Sequence, residues 1–396
     1  MLSYFELGSL RHTIEWIFLL PVAGGSIYAL LCLIAVALMR KRAQKMRNKQ
    51  TSFMPAVTVL KPVHGFEKNL RENLRSACIQ DYPEFQVVFS VQQSSDPAIP
   101  LLYEIQREFG PERVTVAIEN CWAGSNGKIN NMIVGLRRAK HDVLVISDSD
   151  VRLQPDYLKT IVAPLVDPQI GCACTLYKGA CAKRWFEKME LLTLNADFMT
   201  SVIFANVSGA SKFCLGASAA LRRSTLDNIG GLEALADYLV EDYEMGRRIW
   251  VSGKKIAVIP YLVDTMVDLK TPSQWWNHQV YWDQNTRAAR PLAFFATVLV
   301  RSVPFALLYS TMRSFDAASW IVLAAALAVR MMTSALILGW GFRDREGLHS
   351  LWLLPFRDIA ALVSWFLAFV KRTTIWRGNE FILTRDGRLV TREAGP

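Results

Sequence analysis

Long apolar segments lie at both ends of the chain, and a mixed region lies between them. Residues 16–39 carry no charge, and three further apolar segments cover residues 292–311, 317–340 and 351–370. About 20 apolar residues in a helix cross the hydrocarbon core of a bilayer. The pattern therefore predicts a multi-pass membrane protein with an N-terminal anchor and C-terminal membrane or interfacial helices.

Positive charges next to the first segment predict its orientation. Residues 40–49 hold six Lys or Arg, and such clusters favour the cytoplasmic side of a membrane. We therefore expect the domain that follows to lie in the cytoplasm. The alternative, that the basic run binds nucleic acid, is less consistent with its position directly after an apolar segment. The segment 292–311 contains Arg301 and Pro304, so we expect it to lie in the interface or to re-enter.

The mixed region alternates short β-branched runs with helical patterns. The runs predict strands over 56–60, 85–91, 113–118 and 142–147, separated by helices over 67–78, 98–109 and 127–139. This alternation is typical of an α/β domain with a mostly parallel sheet, in which ligands bind beyond the carboxyl ends of the strands. The predicted organisation is an anchor with a basic segment at 1–50, a cytoplasmic domain at 51–290, membrane or interfacial helices at 291–370 and a basic tail at 371–396.

The amino-acid composition excludes only a few classes of protein and of site. The chain of 396 residues is 52% hydrophobic with a net charge of +10, which excludes a disordered protein. The seven cysteines are scattered and form no Cys-x-x-Cys pair. We therefore expect free thiols in a reducing compartment and no zinc site.

Two carboxylates follow the strand predicted at 142–147. Asp148 and Asp150, at positions i and i+2 of a strand end, point the same way. One could hold a divalent cation, Mg²⁺ or Mn²⁺, which would neutralise a departing diphosphate, and the other could orient a sugar or a bound water. The alternative is an ordinary turn or helix cap before Pro155.

Two more acidic sites lie at predicted element ends. Asp96 follows the second strand, where a carboxylate can bind a base or ribose or can cap the next helix. Asp242, after Glu241, stands at the start of a predicted helix, where it could act as a general base or as a helix cap.

With these acidic sites in order, the chain resembles the ceramide glucosyltransferase family, glycosyltransferase family 21, and its bacterial hopanoid-associated relatives. The matching segments are KPVHGFEKNLRENLRS (61–76), QDYPEFQVVFSVQQSSDPAI (80–99), GSNGKINNM (124–132), VLVISDSDVRLQPDYL (143–158), LGASAALRRSTLDNIGGLEALADYLVEDYEMGR (215–247) and WRGNEF (376–381). Their order and spacing are more specific than any single motif.

The resemblance implies a GT-A type nucleotide-sugar-binding fold and a role for each acidic residue. Asp96 matches the residue that contacts the nucleotide, and Asp148 and Asp150 match the metal-binding pair. Asp242 matches the catalytic base. Lys128 matches a position near the donor phosphates, although it could be an ordinary surface lysine.

The chain departs from the family in its last motif, (Q/R)xxRW. Residues 278–282 read His-Gln-Val-Tyr-Trp, so Trp282 matches, His278 takes the first position and Tyr281 replaces the arginine. Tyrosine offers a hydroxyl but no charge to a diphosphate. Arg287 or Arg290 could supply the missing phosphate contact.

The resemblance implies an inverting glycosyltransferase that moves a hexose from a nucleotide sugar, UDP-glucose, to a lipid hydroxyl, most simply that of ceramide. A hopanoid or diacylglycerol acceptor, with glucose or N-acetylglucosamine as the sugar, is the alternative. A non-catalytic, membrane-anchored nucleotide-binding module would explain the anchor but not the carboxylates. A processive polysaccharide synthase would need more membrane crossings and an intact last motif.

Overall fold

The computed structural model describes residues 4–47, 52–370, 373–376, 379–384 and 387–391. Contacts divide the chain into two compact units. The helical unit comprises Met1–Leu38, Lys183–Val207 and Leu269–Arg372. The sheet unit comprises Met39–Ala182, Ser208–Asp268 and Thr373–Pro396.

The helices and strands are numbered in chain order. The helices are α1 (Tyr4–Arg47), α2 (Leu70–Cys78), α3 (Ile99–Phe109), α4 (Gly127–Leu136), α5 (Tyr157–Val162), α6 (Trp185–Leu192), α7 (Met199–Val207), α8 (Arg223–Asn228), α9 (Glu241–Val251), α10 (Pro272–Ala289), α11 (Pro291–Ala296), α12 (Ser302–Met312), α13 (Ala317–Leu336), α14 (Arg345–His349) and α15 (Leu354–Val370). The strands are β1 (Val57–Pro62), β2 (Phe85–Val91), β3 (Val114–Ile118), β4 (Val143–Ser147), β5 (Val151–Arg152), β6 (Ile170–Ala180), β7 (Ser218–Arg222), β8 (Lys255–Met266), β9 (Thr373–Trp376), β10 (Asn379–Leu383) and β11 (Leu389–Thr391).

An eight-stranded sheet, in the order β3-β2-β1-β4-β7-β6-β8-β5, forms the centre of the sheet unit. Parallel pairing joins β3, β2, β1 and β4, and it also joins β6 to β8. Strand β7 runs antiparallel to both of its neighbours, and β5 runs antiparallel to β8. The predicted α/β fold with a mostly parallel sheet is confirmed.

The four predicted strands coincide with β1 to β4. Strands β1, β2 and β4 are buried along their whole length, as expected for strands covered on both faces. This burial explains their nearly continuous apolar sequences. Because β1, β2 and β4 are parallel, their carboxyl ends share one edge of the sheet.

Three segments of the described chain are long and apolar enough to cross a membrane, which confirms the predicted terminal membrane helices. They are Thr13–Met46, Ala317–Gly341 and Leu351–Val370. The pair Pro291–Val300 and Ser302–Met312 bends by 53° and would form a broken span or a re-entrant loop. The bend falls at Arg301, and the path of this pair relative to a bilayer stays a prediction.

Ion pairs satisfy the charges that interrupt the apolar helices α13 and α15 of the helical unit. Arg330 on α13 bonds Asp358 on α15 at 2.9 Å and Asp197 at 2.5 Å. Arg357 contacts the same two carboxylates. Charged side chains among membrane helices are costly unless they are paired, and this four-residue network pairs all four.

Candidate active site

The Asp148–Asp150 turn follows β4 at the carboxyl edge of the parallel strands. The backbone N–H of Asp148 donates to the carbonyl of Ala217, and Val151 N–H closes the turn onto the carbonyl of Asp148 at 3.1 Å. Burial, and then the neighbouring carboxylates of Asp148 and Glu67, raise the pKa of Asp150 to about 8. The turn therefore crowds carboxyl groups at one point of the sheet edge, and their mutual repulsion disfavours the ionised form of Asp150.

Lys128 joins this turn to the start of α9. Asn126 caps α4 by accepting the N–H groups of Lys128 and Ile129, which fixes the first turn of the helix. The Lys128 ammonium lies 2.7 Å from Asp148 Oδ1 and 3.0 Å from Glu241 Oε1. Three segments that are far apart in the sequence therefore meet at one cation.

Asp242 lies beside this cluster in the first turn of α9. Its Oδ1 accepts the N–H of Tyr243 at 2.7 Å. Its Oδ2 packs so closely against Gly216 that a Cβ at position 216 would lie 2.7 Å away. Burial and the adjacent Glu241 carboxylate raise the pKa of Asp242 to about 7, against the opposing effect of Lys128. Asp242 is thus a carboxylate that exchanges protons near neutral pH.

Backbone contacts hold the loop before α9. Asn126 Nδ2 donates to the carbonyl of Tyr238 at 2.9 Å. The Asp237 carboxylate accepts the N–H of Ser125, and its backbone carbonyl accepts the N–H of Leu389 at 2.8 Å. The C-terminal strand β11 therefore supports the loop that leads to Asp242.

Asp96 belongs to the same unit but makes its own contacts. It is buried, its Oδ1 accepts the N–H of Ala98, and its Oδ2 accepts the N–H of Gly65, each at 2.8 Å. The Ala98 contact orders the turn that enters α3, but Asp96 is not the helix cap, because the N-cap residue of α3 is Ala98 and no described side chain caps the helix. The Gly65 contact also fixes the loop after β1, and a nucleotide contact by Asp96 stays a prediction.

The residues of the altered last motif lie on α10 in the helical unit. His278 Nδ1 contacts Glu190 at 2.9 Å, and Trp282 Nε1 donates to His278 Nε2 at 3.0 Å. The rings of His278 and Tyr281 stack, with centroids 6.0 Å apart. Burial lowers the pKa of His278, but the charge and hydrogen bond of Glu190 outweigh it and raise that pKa.

Arg287, which could replace the arginine of the last family motif, lies on α10 and contacts an aromatic ring. The Arg287 guanidinium lies over the ring of Phe369, 5.7 Å from its centroid. The structure thus places Asp96, Lys128, Asp148, Asp150 and Asp242 in the sheet unit, and His278, Tyr281 and Trp282 in the helical unit.

Sequence reasoning missed several groups of this site. Lys61 is buried under the Asp148–Asp150 turn, and Glu67 accepts a hydrogen bond from Ser149 at 2.6 Å. Tyr177 is buried in β6, where burial and the carboxylates of the site raise its pKa. A lysine inside the apolar run VTVLKP was the available signal for Lys61, because lysine is rarely fully buried without partners.

The two carboxylates of the turn have the chemistry that a hard divalent cation requires. Mg²⁺ and Mn²⁺ prefer oxygen ligands, and Mg²⁺ is usually bound through one or two carboxylates together with substrate phosphates. Asp148 and Asp150 supply such oxygens from a single turn. Among the described residues, no group of three or more His, Cys, Asp or Glu side chains forms a metal cage.

The seven cysteines are all free thiols, and every one except Cys181 is buried. The sulfur atoms of Cys172 and Cys214 lie 2.8 Å apart. The expectation of free cysteines is therefore confirmed.

Comparison with known proteins places the chain in a family. The sequence model of glycosyl transferase family 21 matches residues 22–389. Ceramide glucosyltransferase 1 of Caenorhabditis elegans is 24% identical over 408 residues, which cover 98% of this chain and 85% of the relative. Ceramide glucosyltransferase 3 of the same organism is 25% identical over 53% of this chain and 46% of its own length.

Solved structures include similar chains. The mannosyltransferase PcManGT from Pyrobaculum calidifontis, in complex with GDP-Man and Mn²⁺, is 21% identical with a TM-score of 0.46, over 86% of this chain and 98% of that one. The family match begins within the first apolar segment and extends through the C-terminal helices to residue 389, and it confirms the predicted resemblance and a glycosyltransferase fold. The chain belongs to glycosyl transferase family 21 and is a glycosyltransferase.

Proposed function

We propose that this enzyme transfers glucose from UDP-glucose to the primary hydroxyl of ceramide and forms a β-linked glycolipid. The observation that carries the proposal is the Lys128 ammonium, which joins Asp148 and Glu241 beside Asp242. This contact brings the proposed cation ligands and the proposed base to one edge of the sheet. The family and its relatives named ceramide glucosyltransferase support the donor and the acceptor.

In this proposal Asp242 is the general base. It takes the proton of the acceptor hydroxyl as the hydroxyl oxygen attacks the anomeric carbon and the bond to the nucleoside diphosphate breaks. A pKa of about 7 suits this task, because a base is most effective when its pKa is near the working pH. A single displacement from the face opposite the leaving group inverts the anomeric centre.

The other residues of the site bind and orient the donor. Asp148 and Asp150 would hold Mg²⁺ or Mn²⁺, and the ion would supply positive charge for the leaving diphosphate. Lys128 balances the carboxylates around it and adds a second positive charge near the leaving group. Asp96 orients the nucleotide, and donor contacts by His278, Tyr281 and Trp282 stay predictions of the sequence.

The membrane setting is part of the same proposal. The three apolar spans suit an enzyme whose acceptor is dissolved in the bilayer. The basic residues that follow the first apolar segment favour a cytoplasmic catalytic domain, at the inner membrane of a bacterium. The division of the chain into four consecutive regions, with boundaries at residues 50, 290 and 370, also stays a prediction.

The test combines one variant with product identification. Membranes that contain the wild-type enzyme or Asp242→Asn are incubated with labelled UDP-glucose or UDP-N-acetylglucosamine, and the lipid product is identified by mass spectrometry. We expect a hexosylceramide from the wild type, and transfer lowered at least a thousandfold with nearly unchanged UDP binding for Asp242→Asn. Asp81→Asn is the matched control, because this carboxylate is exposed and pairs only at the surface with Lys159. Normal turnover by Asp242→Asn would refute the role of Asp242 as the general base. A glycosylated hopanoid or diacylglycerol as the product would show that ceramide is not the acceptor.

A further inference from the structure

Lys61 is a fully buried lysine at the carboxyl end of β1. Its side chain has no exposed surface, and a buried ammonium costs several kcal/mol unless it is hydrogen-bonded. The register pairs Leu60 with Ile146 of β4 and Lys61 with Phe89 of β2. Lys61 therefore lies at the carboxyl edge of the sheet, beside the first residues of the Asp148–Asp150 turn.

The Lys61 ammonium binds backbone on both sides of that turn. Its Nζ donates to the carbonyl of Asp148 at 2.6 Å and to the carbonyl of Val151 at 3.0 Å. The two carbonyls bracket Ser149 and Asp150, so one cation fixes the distance between the two ends of the turn. This contact uses main-chain atoms and leaves the carboxylate groups to other partners.

Two further contacts restrain the same turn from other sides. Ser149 is buried, and its hydroxyl donates to Glu67 at 2.6 Å. The carbonyl of Asp150 accepts the N–H of Met266 on β8 at 3.0 Å. The turn is thus held on three sides, and of these three contacts the one from Lys61 joins both of its ends, in addition to the bond from the Val151 N–H to the Asp148 carbonyl that closes the turn.

We propose that Lys61 is a positioning residue, which clamps the carbonyls of Asp148 and Val151 so that the Asp148 and Asp150 carboxylates bind one divalent cation together. The inference rests on the proposed cation site. A lysine acting only as a counter-charge gives the opposite expectation. Removing a bare counter-charge would strengthen cation binding, because it leaves the acidic turn more negative. Removing a clamp weakens cation binding, because the two ligands are no longer held together.

The experiment measures Mn²⁺ binding rather than turnover. The full chain is purified in detergent, and free Mn²⁺ is followed by electron paramagnetic resonance during titration with Mn²⁺ alone. We expect Lys61→Met to raise the dissociation constant at least tenfold. Lys68→Met is the matched control, because the Lys68 ammonium also joins two carbonyls, those of Cys181 and Val267, and neither carbonyl belongs to the turn. It should bind Mn²⁺ like the wild type.

Two further variants separate the possible failures. Lys61→Gln keeps a hydrogen-bond donor and should give an intermediate loss of affinity, and it carries the test if Lys61→Met lacks a thermal unfolding transition. Asp150→Asn should abolish strong binding. If Asp150→Asn binds Mn²⁺ like the wild type, the cation site is wrong and the role of Lys61 falls with it. If Asp150→Asn loses binding while both Lys61 variants bind as tightly as the wild type or more tightly, only the inference about Lys61 is overturned.

Discussion

Replacing Lys128 by methionine tests the electrostatic arrangement of the site. The substitution keeps most of the side-chain volume and removes the one ammonium that contacts both Asp148 and Glu241. The side chain of Lys128 is only 16% exposed. At about 3 Å and an effective dielectric of about 20, each contact corresponds to roughly 5 kcal/mol of direct attraction. Much of this attraction offsets the cost of burying the charges.

Two kinetic effects should follow. Loss of positive charge near a developing leaving-group charge lowers kcat about 10²–10³-fold, by analogy with the removal of one oxyanion donor. Lys128 also lowers the pKa of Asp242, which burial and Glu241 raise to about 7. Without Lys128 this pKa rises further, and a shift of about one pH unit corresponds to 1.36 kcal/mol. Because the base must be deprotonated, the rising limb of the pH–rate profile should move to higher pH.

The assay is kcat and KM for transfer between about pH 5.5 and 9, for wild type, Lys128→Met and a surface control. Lys159→Met is the control, since Lys159 pairs with the 75% exposed Asp81 and such pairs contribute about 0–1 kcal/mol. We expect a limb near pH 7 for the wild type and the control. A Lys128→Met enzyme with an unmoved limb, or with kcat within threefold of wild type, would refute this account of the cluster.

Three further substitutions test other parts of the structure. Gly216→Ala should lower kcat at least tenfold with an unchanged melting temperature, because the new Cβ displaces the carboxylate of Asp242; an unchanged kcat would contradict the packing. Leu389→Pro removes the N–H that supports the carbonyl of Asp237, so kcat should fall several-fold while Mn²⁺ affinity, measured by titration, stays constant. Arg330→Met leaves the carboxylates of Asp197 and Asp358 with the single guanidinium of Arg357 and should destabilise the detergent-solubilised protein by about 1–3 kcal/mol; thermal unfolding measures this loss, and an unchanged transition would count against the network.

The sequence predicted the structure best where the burial of a single strand determines its own pattern of apolar residues. Strands β1, β2 and β4 are buried on both faces, so their apolar runs are visible without any knowledge of their partners. The convergence of Asp148 with the start of α9 followed from the resemblance and not from periodicity. Strand β8 was not predicted, because its exposed and half-buried positions and its register shifts against β6 interrupt a regular pattern.

Contacts made across the fold could not be predicted. The partners of Lys61 are backbone carbonyls, which every residue carries, so no residue type indicates them. The same limit applies to Gly216, whose missing Cβ matters only because Asp242 packs there. The helical unit also includes Lys183–Val207, whose composition resembles the surrounding domain. Its membership depends on tertiary contacts such as that between Glu190 and His278.

The central claim is a single inverting displacement onto a lipid hydroxyl, and the anomeric configuration of the product tests it most directly. The purified enzyme is incubated with UDP-glucose, whose glucose is α-linked, and with ceramide, and the coupling constant of the product's anomeric proton is measured by NMR. The account predicts a β-glucosylceramide, with no product from Asp242→Asn. An α-linked product would contradict the single displacement and, with it, the role of Asp242 as the base.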